Sequence, residues 1–507
     1  MTDNLHTGTE ARRKLVIGIN KVSDAVKWTM GTGGSNAIIE VMESPKHMAT
    51  NDGYTIANSI HLADPIENMG RNILVEAISR ANKQSGDGSS TTCLLTAEII
   101  SNGLVLGEKD NPMDVKRSLE ACIPLIENYV MATSRPIEID QVSDVATVSS
   151  EDRKIGNMIQ EIYEKIGRDG IIYWDISKTA EDTYTIGTGI TIDDAGYVSP
   201  YMCDADGSGQ NTNVIRIKDP KILLVKQKIT SANDFEAIGA GLFAENIKDL
   251  DVFCDDIDPL VVPSLVLTRM QKGFRIAVIK MPLLWRNYWY EDVAKATGAT
   301  VVDPASGLPL NKATKQHLGT VGHIVINKDQ TMLDGIQNVT EHIVHLEADG
   351  TEDALLRVSR LNTKTARYFV GAHSDSALSY KRLKVEDAIS ASWQALNGGV
   401  VAGGGVSLRN CSDVMPDTVG GRILAKAFLA PEEQIATNVG TKEYLGLSGD
   451  ENIGLNTKTG EYVDMFKAGI VDPANIVLNA CKNAISVAAA VLTCTTIVTL
   501  PRDDKPL

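Results

Sequence analysis

The residues Asp87-Gly88-Ser89-Ser90-Thr91-Thr92 place one carboxylate, one glycine and four consecutive hydroxyl side chains together. Apolar residues at helical spacing lead up to this run (Ile66, Met69, Ile73, Leu74, Ala77, Ile78, Ala81), and the pattern resumes from Cys93 to Leu104. The hydroxyl residues therefore fall at a helix N-terminus, where unpaired backbone N–H groups and the helix dipole attract an anion. Their side chains add donors for phosphate oxygens. A carboxylate cannot face a phosphate directly, but Asp87 suits a Mg²⁺ ion that bridges to one. An isolated Asp-Gly-Ser-Ser is also an ordinary helix cap, so the weight of the run depends on its company.

The elements that must position these residues form a large soluble protein. A chain of 507 residues exceeds one core and predicts two to four domains, with 22% charged and 43% hydrophobic residues. The net charge of −16 argues against nucleic acid or an anionic membrane as partner. Met1 to Arg13 is polar and lacks the apolar core of a signal peptide. Ile485 to Val498 is the most apolar stretch and is too short to cross a bilayer; it reads as a buried helix running into a strand. Seven scattered cysteines with no CxxC pair predict reduced, packed thiols and a cytoplasmic location. The eight histidines form no ligand-spaced set, although His342 and His345 stand three apart. Neither GxxxxGK[ST] nor a strand–GxGxxG–helix pattern is present, which excludes P-loop and Rossmann readings.

Periodicity predicts helices over Ala11–Thr29, two within Ile66–Glu108, and one over Pro112–Ala132. Two short runs, Ala37–Val41 and Tyr54–Ile56, flank the turn signal Asn51-Asp52-Gly53 and predict a hairpin. Between about residues 171 and 370 the character changes. Short strand-like runs (Ile171–Trp174, Ile222–Val225, Ile276–Ile279, His323–Asn327) alternate with helical patterns at Asp234–Glu245 and Leu260–Gln271. Long helical patterns return at Val385–Asn397, Gly421–Val439 and Pro473–Leu492. The expected fold is thus mixed α/β and multidomain: a helical domain built from both termini, with an α/β domain inserted. Gly189 and Gly371 fall near the two crossings and are the expected hinges.

Five motifs line up in the helical halves: Thr29-Met30-Gly31-Thr32-Gly33-Gly34; Asn51-Asp52-Gly53; Gly86 to Thr92; Val385-Glu386-Asp387-Ala388 with Val400-Val401-Ala402-Gly403-Gly404-Gly405; and Gly469-Ile470-Val471-Asp472-Pro473. In this order they resemble the ATP site of the group I chaperonins, the GroEL/Hsp60 family. Glu67-Asn68-Met69-Gly70, Asn111 to Arg117, Tyr197 to Tyr201, Glu461 to Met465 and Leu500-Pro501 extend the resemblance from about Ala11 to Pro501. Thr50-Asn51-Asp52-Gly53 is closer to the group II relatives.

The resemblance implies a mainly helical equatorial domain (1–131 and 398–507), a small intermediate domain (132–188 and 366–397) and an inserted α/β apical domain (189–365). It implies a homo-oligomeric ring, usually of seven subunits, that takes ATP with Mg²⁺ and K⁺ and folds non-native polypeptides under a co-chaperonin lid. Thr29, Met30, Gly31 and Thr32 would approach the phosphates, Asn51 and Gly53 would flank them, and Gly88, Ser89, Ser90 and Thr91 would cradle them. Asp87 would hold the metal, Gly404 would pack against ribose and base, Asn456, Thr457 and Lys458 would form the adenine-side loop, and Asp472 would bind the ribose hydroxyls. Asp387 would activate the attacking water and Asp52 would orient it, as phosphoryl transfer requires. Clients would bind at Tyr197, Ser199, Tyr201, Met202, Val262, Val266 and Leu267.

The chain departs from the family in several places. Gly31-Thr32-Gly33-Gly34 stands for the usual Gly-Pro-Lys-Gly, and Asn51 for the lysine of Lys-Asp-Gly, so two lysines near the phosphates are missing. Losing cations beside developing charge costs transition-state stabilisation, which predicts slow ATP hydrolysis. The alternative reading is a nucleotide-binding ring holdase or scaffold with little or no turnover. A small-molecule phosphotransferase would need a polar cluster in the inserted domain, and none is visible. Glu433 and Lys442 align with a charge pair between rings, with the charges exchanged. Pro282 to Tyr290 is unusually aromatic, reading equally as an extra apolar contact or as core. Such divergence fits a virus-encoded or specialised copy.

Overall fold

The computed structural model describes residues 5–40, 47–204, 213–336, 339–361, 364–441 and 452–499. The chain divides into two compact units: Met1–Arg168 with Tyr173–Thr183 and Tyr368–Leu507, and Asp169–Ile172 with Tyr184–Arg367. The second unit is thus the span 184–367 with the short segment 169–172, and the expected 189–365 lies within it. The segments expected as intermediate fall largely in the same unit as the equatorial ones.

The first unit is helical. Its centre is Ala474–Thr493, apolar on most faces and packed against Pro65–Ser85 and Ser89–Leu106. Among the described residues it is the one helix with the length and composition to cross a membrane, but 72% of its most apolar window is buried inside the unit. Each fully buried Ile, Leu or Val here contributes about 1.5–3 kcal/mol, and burial of this kind accounts for the hydropathy. Beyond it lies the strand Thr496–Val498, paired with Leu5–Thr7. The helices Gly8–Val26 and Pro65–Ser85 cross at backbone contact: a Cβ on Gly18 would lie 1.9 Å from the Glu67 carbonyl oxygen, and one on Gly70 2.0 Å from that of Leu15. Close approach is therefore the physical reason for glycine in Glu67-Asn68-Met69-Gly70. A second group of helices, Val142–Ser150, Arg153–Ile166 and Asp375–Gly398, packs together within the same unit.

Three expectations need correction here. The hairpin pairs Ala37–Glu40 with His47–Thr50, and Tyr54–Ile56 belongs to the helix Gly53–Ser59. Asp52 caps that helix, accepting from the N–H groups of Tyr54 and Thr55, so the turn signal marked a helix start. The span Pro112–Ala132 is two helices, Pro112–Glu120 and Ile123–Thr133, and Gly421–Val439 is also two, Val419–Ala427 and Ala430–Asn438. Proline is the cause in both. Pro124 and Pro431 have no N–H to offer the carbonyls of Glu120 and Ala427, where the first helix of each pair ends.

The second unit contains a parallel sheet in the order Val301–Val302, Ile222–Ile229, Asp249–Ile257, Arg275–Lys280. The helices Glu236–Ala244, Val262–Lys272 and Arg286–Thr297 supply its crossovers. Antiparallel strands Thr183–Asp193, Gln330–Asp334, His323–Ile326 and Ile215–Lys218 pair in that order. The predicted run Ile171–Trp174 is part of the strand Ile171–Ile176. Gly189 lies inside a strand opposite Asp334, where a Cβ would sit 2.5 Å from the Leu333 oxygen. In the first unit, Gly371 donates its N–H to Asp182 at 2.8 Å, and a Cβ on it would lie 2.3 Å from the Glu181 oxygen. Neither has positive φ; both are glycine because neighbouring backbone leaves no room.

The aromatic segment splits. Leu283 and Leu284 are exposed, Trp289 and Tyr290 are core, and Tyr288 lies under the guanidinium of Arg357 at 4.6 Å. Glu433 sits on Ala430–Asn438, whereas Lys442 and Leu500-Pro501 lie outside the described residues.

Candidate functional site

The turn before Ser89–Leu106 is shaped by two glycines. Gly86, at φ 69°, ends Pro65–Ser85, and Gly88, at φ 87°, opens the next helix. Only glycine adopts this pair of left-handed conformations without strain. Asp87 is held between them: its Oδ1 accepts the Gly88 N–H at 2.5 Å, and its Oδ2 accepts the Ser149 hydroxyl at 2.9 Å. Gly53 lies on the same helix end, where a Cβ would be 2.5 Å from Ser90 Oγ. Asp52 is thereby brought within reach of the Ser89 hydroxyl, at 3.5 Å. Thr29 is buried, donates to the Val26 carbonyl at 2.8 Å and lies 3.3 Å from Ser90 Oγ.

Asp387 comes from the helix Asp375–Gly398 and lies near enough to Asp87 and Asp52 for their charges to act on it. Desolvation holds its carboxyl well above the ordinary range, and the like charges of Asp87 and Asp52 push it further; Lys384 opposes them. Desolvation also raises Asp87, against the Gly88 and Ser149 hydrogen bonds and Lys384. An added cation would relieve the desolvation and mutual repulsion that raise Asp87 and Asp387. That is an observation in favour of Mg²⁺ here. Among the described residues no group of three or more His, Cys, Asp or Glu forms a metal cage, so the ion would keep water and phosphate oxygens as ligands, as Mg²⁺ prefers.

The other expected residues are distributed as follows. Asp472 lies on Val471–Pro473, opposite Val401; burial first, and then the charge of Asp87, push its carboxyl up to about 7, with the Gly404 N–H acting the other way. Gly404 is at φ 66°, and a Cβ there would meet Met465 Cε at 2.8 Å. Asn456 ends the strand Ile453–Asn456, and its side chain accepts the Lys458 N–H at 3.0 Å. The hydroxyls of Thr457 and Thr32 touch, joining the loop after Ile453–Asn456 to the turn Thr29–Gly34. Gly31 has φ 71°. The Met30 side chain is buried, so its main chain is what this turn offers a ligand. Thr91 lies in the first turn of Ser89–Leu106, and Asn51 donates to Glu151 at 3.3 Å.

Several residues escaped the sequence reading. Asn438 donates to the carbonyls of Lys27 (3.0 Å) and Met30 (2.9 Å), fixing the start of the turn Thr29–Gly34. Arg409 and Glu432 form a buried pair at 3.0 Å, and Arg409 also holds the Ile453 carbonyl at the base of the adenine-side hairpin. Ser149, Glu151 and Lys384 are the others. All are ordinary residue types whose partners lie far away in sequence, so no local spacing marks them.

On the second unit, Tyr201 (73% exposed) and Leu267 (51%) present apolar surface, while Tyr197, Val262 and Val266 are half-buried. Ser199 and Met202 are corrections. Ser199 is buried and caps the turn Pro200–Met202, and Met202 belongs to the core. Leu260, Met270 and Phe243 are exposed apolar residues that the sequence reading missed.

The family model described as TCP-1/cpn60 chaperonin matches residues 22–256 and 252–502. The chain belongs to the TCP-1/cpn60 chaperonin family. Its fold is that of a chaperonin subunit with equatorial, intermediate and apical domains. Among solved structures it is similar to the chaperonin gp146 from the bacteriophage EL 2 (Pseudomonas aeruginosa) in presence of ATP-BeFx, in two crystal forms. The TM-scores are 0.71 and 0.65 at 18% identity, covering 99% of this chain and 100% of gp146. That likeness between chaperonins so distant in sequence concerns the fold, and the residues described above carry the chemistry.

Proposed function

We propose that this chaperonin hydrolyses ATP slowly as a ring subunit, probing and folding non-native polypeptides in the cytoplasm. The observation that carries the reading is the convergence of Asp52, Asp87 and Asp387 on the N-terminus of Ser89–Leu106. Family members are ATPases in general, and gp146 was crystallised with an ATP analogue, which supports a nucleotide in this cleft. Seven free cysteines support a reducing compartment.

In this reading the N–H groups and hydroxyls of Ser89, Ser90 and Thr91 bind phosphate oxygens, with the turn Thr29 to Thr32 opposite. Asp472 and Gly404 receive the ribose, and Asn456, Thr457 and Lys458 border the base. Mg²⁺, held by Asp87, would supply charge neutralisation at the phosphates. Asp387, ionised once a cation shares the cleft and made more basic by its burial, accepts a proton from the attacking water, and Asp52 orients that water. General bases of this type contribute about 10²–10⁴-fold. Thr32-Gly33 and Asn51 are neutral where the family has lysines, which supports the reading of slow turnover. K⁺ is a further proposed cofactor. The exposed residues Tyr201, Leu260, Leu267 and Met270 offer clients an apolar rim; seven subunits and a separate lid protein are part of the proposal.

The test is phosphate release from the purified assembly with Mg²⁺ and ATP, beside Asp387→Asn. Turnover in the wild type that is lost in a variant still able to bind nucleotide supports the reading. No turnover in either points to a holdase or scaffold. Equal turnover in both shows that Asp387 is not the base.

A further inference from the structure

Lys384 is the positive charge that faces the carboxylate cluster. It lies one turn before Asp387 on Asp375–Gly398 and is buried. Of the charges acting most strongly on Asp387, namely those of Asp87, Asp52, Lys384 and Glu386, it alone is positive. Its Nζ pairs with Glu151 Oε1 at 2.7 Å. The same oxygen accepts from Asn51 Nδ2 at 3.3 Å. Glu151 therefore has two donors and keeps one if the lysine leaves. A lysine is a point charge on a flexible four-carbon stem, so it can exchange Glu151 for a stronger anion nearby without backbone movement.

We propose that Lys384 senses the terminal phosphate: it rests on Glu151 when that phosphate is absent and turns onto it when present, while Asn51 keeps Glu151 in place. The inference rests on the nucleotide reading above and names the residue that separates triphosphate from diphosphate. Thr32 and Asn51 are neutral, so the cation comes from the helix that carries Asp387, one turn away from it. Recognition of the terminal phosphate and placement of the water-activating carboxylate then depend on the same helix.

The experiment is equilibrium binding of ADP and of AMP-PNP, with Mg²⁺, to the assembled wild type and variants. Lys384→Met should weaken AMP-PNP about tenfold or more and change ADP less than about twofold. Lys384→Arg should retain most of the preference. Glu151→Gln, which removes the competing anion, should tighten AMP-PNP relative to ADP; this variant serves even if Lys384→Met fails to assemble. Equal weakening of both nucleotides by Lys384→Met, with no shift in Glu151→Gln, would make the lysine merely structural and overturn the proposal. A wild type that binds neither nucleotide overturns the nucleotide reading itself, and that outcome is distinct from a wild type binding both without preference, which removes the sensor alone.

Discussion

Ser149 donates its hydroxyl to Oδ2 of Asp87 at 2.9 Å, while the backbone of Gly88 occupies Oδ1. The contact ties the end of the helix Val142–Ser150 to the phosphate-binding turn and favours the ionised form of a carboxylate that desolvation opposes. A hydrogen bond to a charged group contributes about 1.5–3 kcal/mol. Ser149→Ala should therefore weaken the affinity of Asp87 for its cation, and the Mg²⁺ concentration for half-maximal ATP turnover should rise about tenfold. A Mg²⁺ titration in the variant that overlays the wild-type curve would remove Ser149 from the site.

Tyr201 and Met202 are adjacent, and the sequence reading gave both to the client surface. Tyr201 is 73% exposed and Met202 2% exposed. Tyr201→Glu should lower capture of a denatured test protein by several-fold while leaving the unfolding transition within about 0.5 kcal/mol. Met202→Glu should instead destabilise the unit by about 3 kcal/mol or more, because a charge enters the core unpaired. Denaturant curves and client capture on the two variants separate the roles. Comparable unfolding midpoints for both would contradict the burial argument.

The contrast shows what the sequence made legible. The turn Gly86 to Thr92 is legible because its residues are local, and its glycines are demanded by left-handed backbone at positions 86 and 88. Helix existence could be read from apolar spacing, but helix breaks at Pro124 and Pro431 were passed over because periodicity continues on both sides. Asn51-Asp52-Gly53 suits hairpin turns and helix starts alike, and only the pairing of Ala37–Glu40 with His47–Thr50 decides between them. Partners such as Ser149 with Asp87, or Asn438 with Met30, depend on tertiary approach and leave no local pattern. Burial of Ser199 and Met202 depends on which face of a short turn meets the core, which so few residues cannot specify.

Asp251 lies in the middle of the parallel sheet, opposite Ile222 and Ala277, and is fully buried. Neither of its oxygens has a hydrogen-bond partner. Desolvation, only partly opposed by Arg275 and reinforced by Asp249 and Asp204, pushes its carboxyl up to about 8. Because the folded value exceeds the ordinary 3.8, the unfolded chain releases this proton first as pH rises. Stability should be greatest below about pH 4 as far as this group is concerned, and fall progressively up to about pH 8, by several kcal/mol in all. Asp251→Asn removes the titration and should flatten that slope, gaining stability at pH 8 and little at pH 5. Hydrogen exchange of the strand Asp249–Ile257 at the two pH values reads the effect locally. Identical pH dependence in wild type and variant would show that Asp251 does not govern it.

Asp472 offers a pH test of the ribose assignment that needs neither metal nor phosphate. Its carboxyl is pushed up to about 7 by burial and by the charge of Asp87, with the Gly404 N–H acting the other way. Ribose hydroxyls are donors, and a carboxylate accepts from them better when ionised. Binding therefore favours the charged form and releases a proton wherever Asp472 is still partly protonated. Adenosine affinity should rise several-fold between pH 6 and pH 8, with its midpoint near 7, and the gain should vanish in Asp472→Asn. A flat adenosine profile in the wild type would separate Asp472 from the ribose. A rise that persists in Asp472→Asn would assign the titration to another group in the cleft.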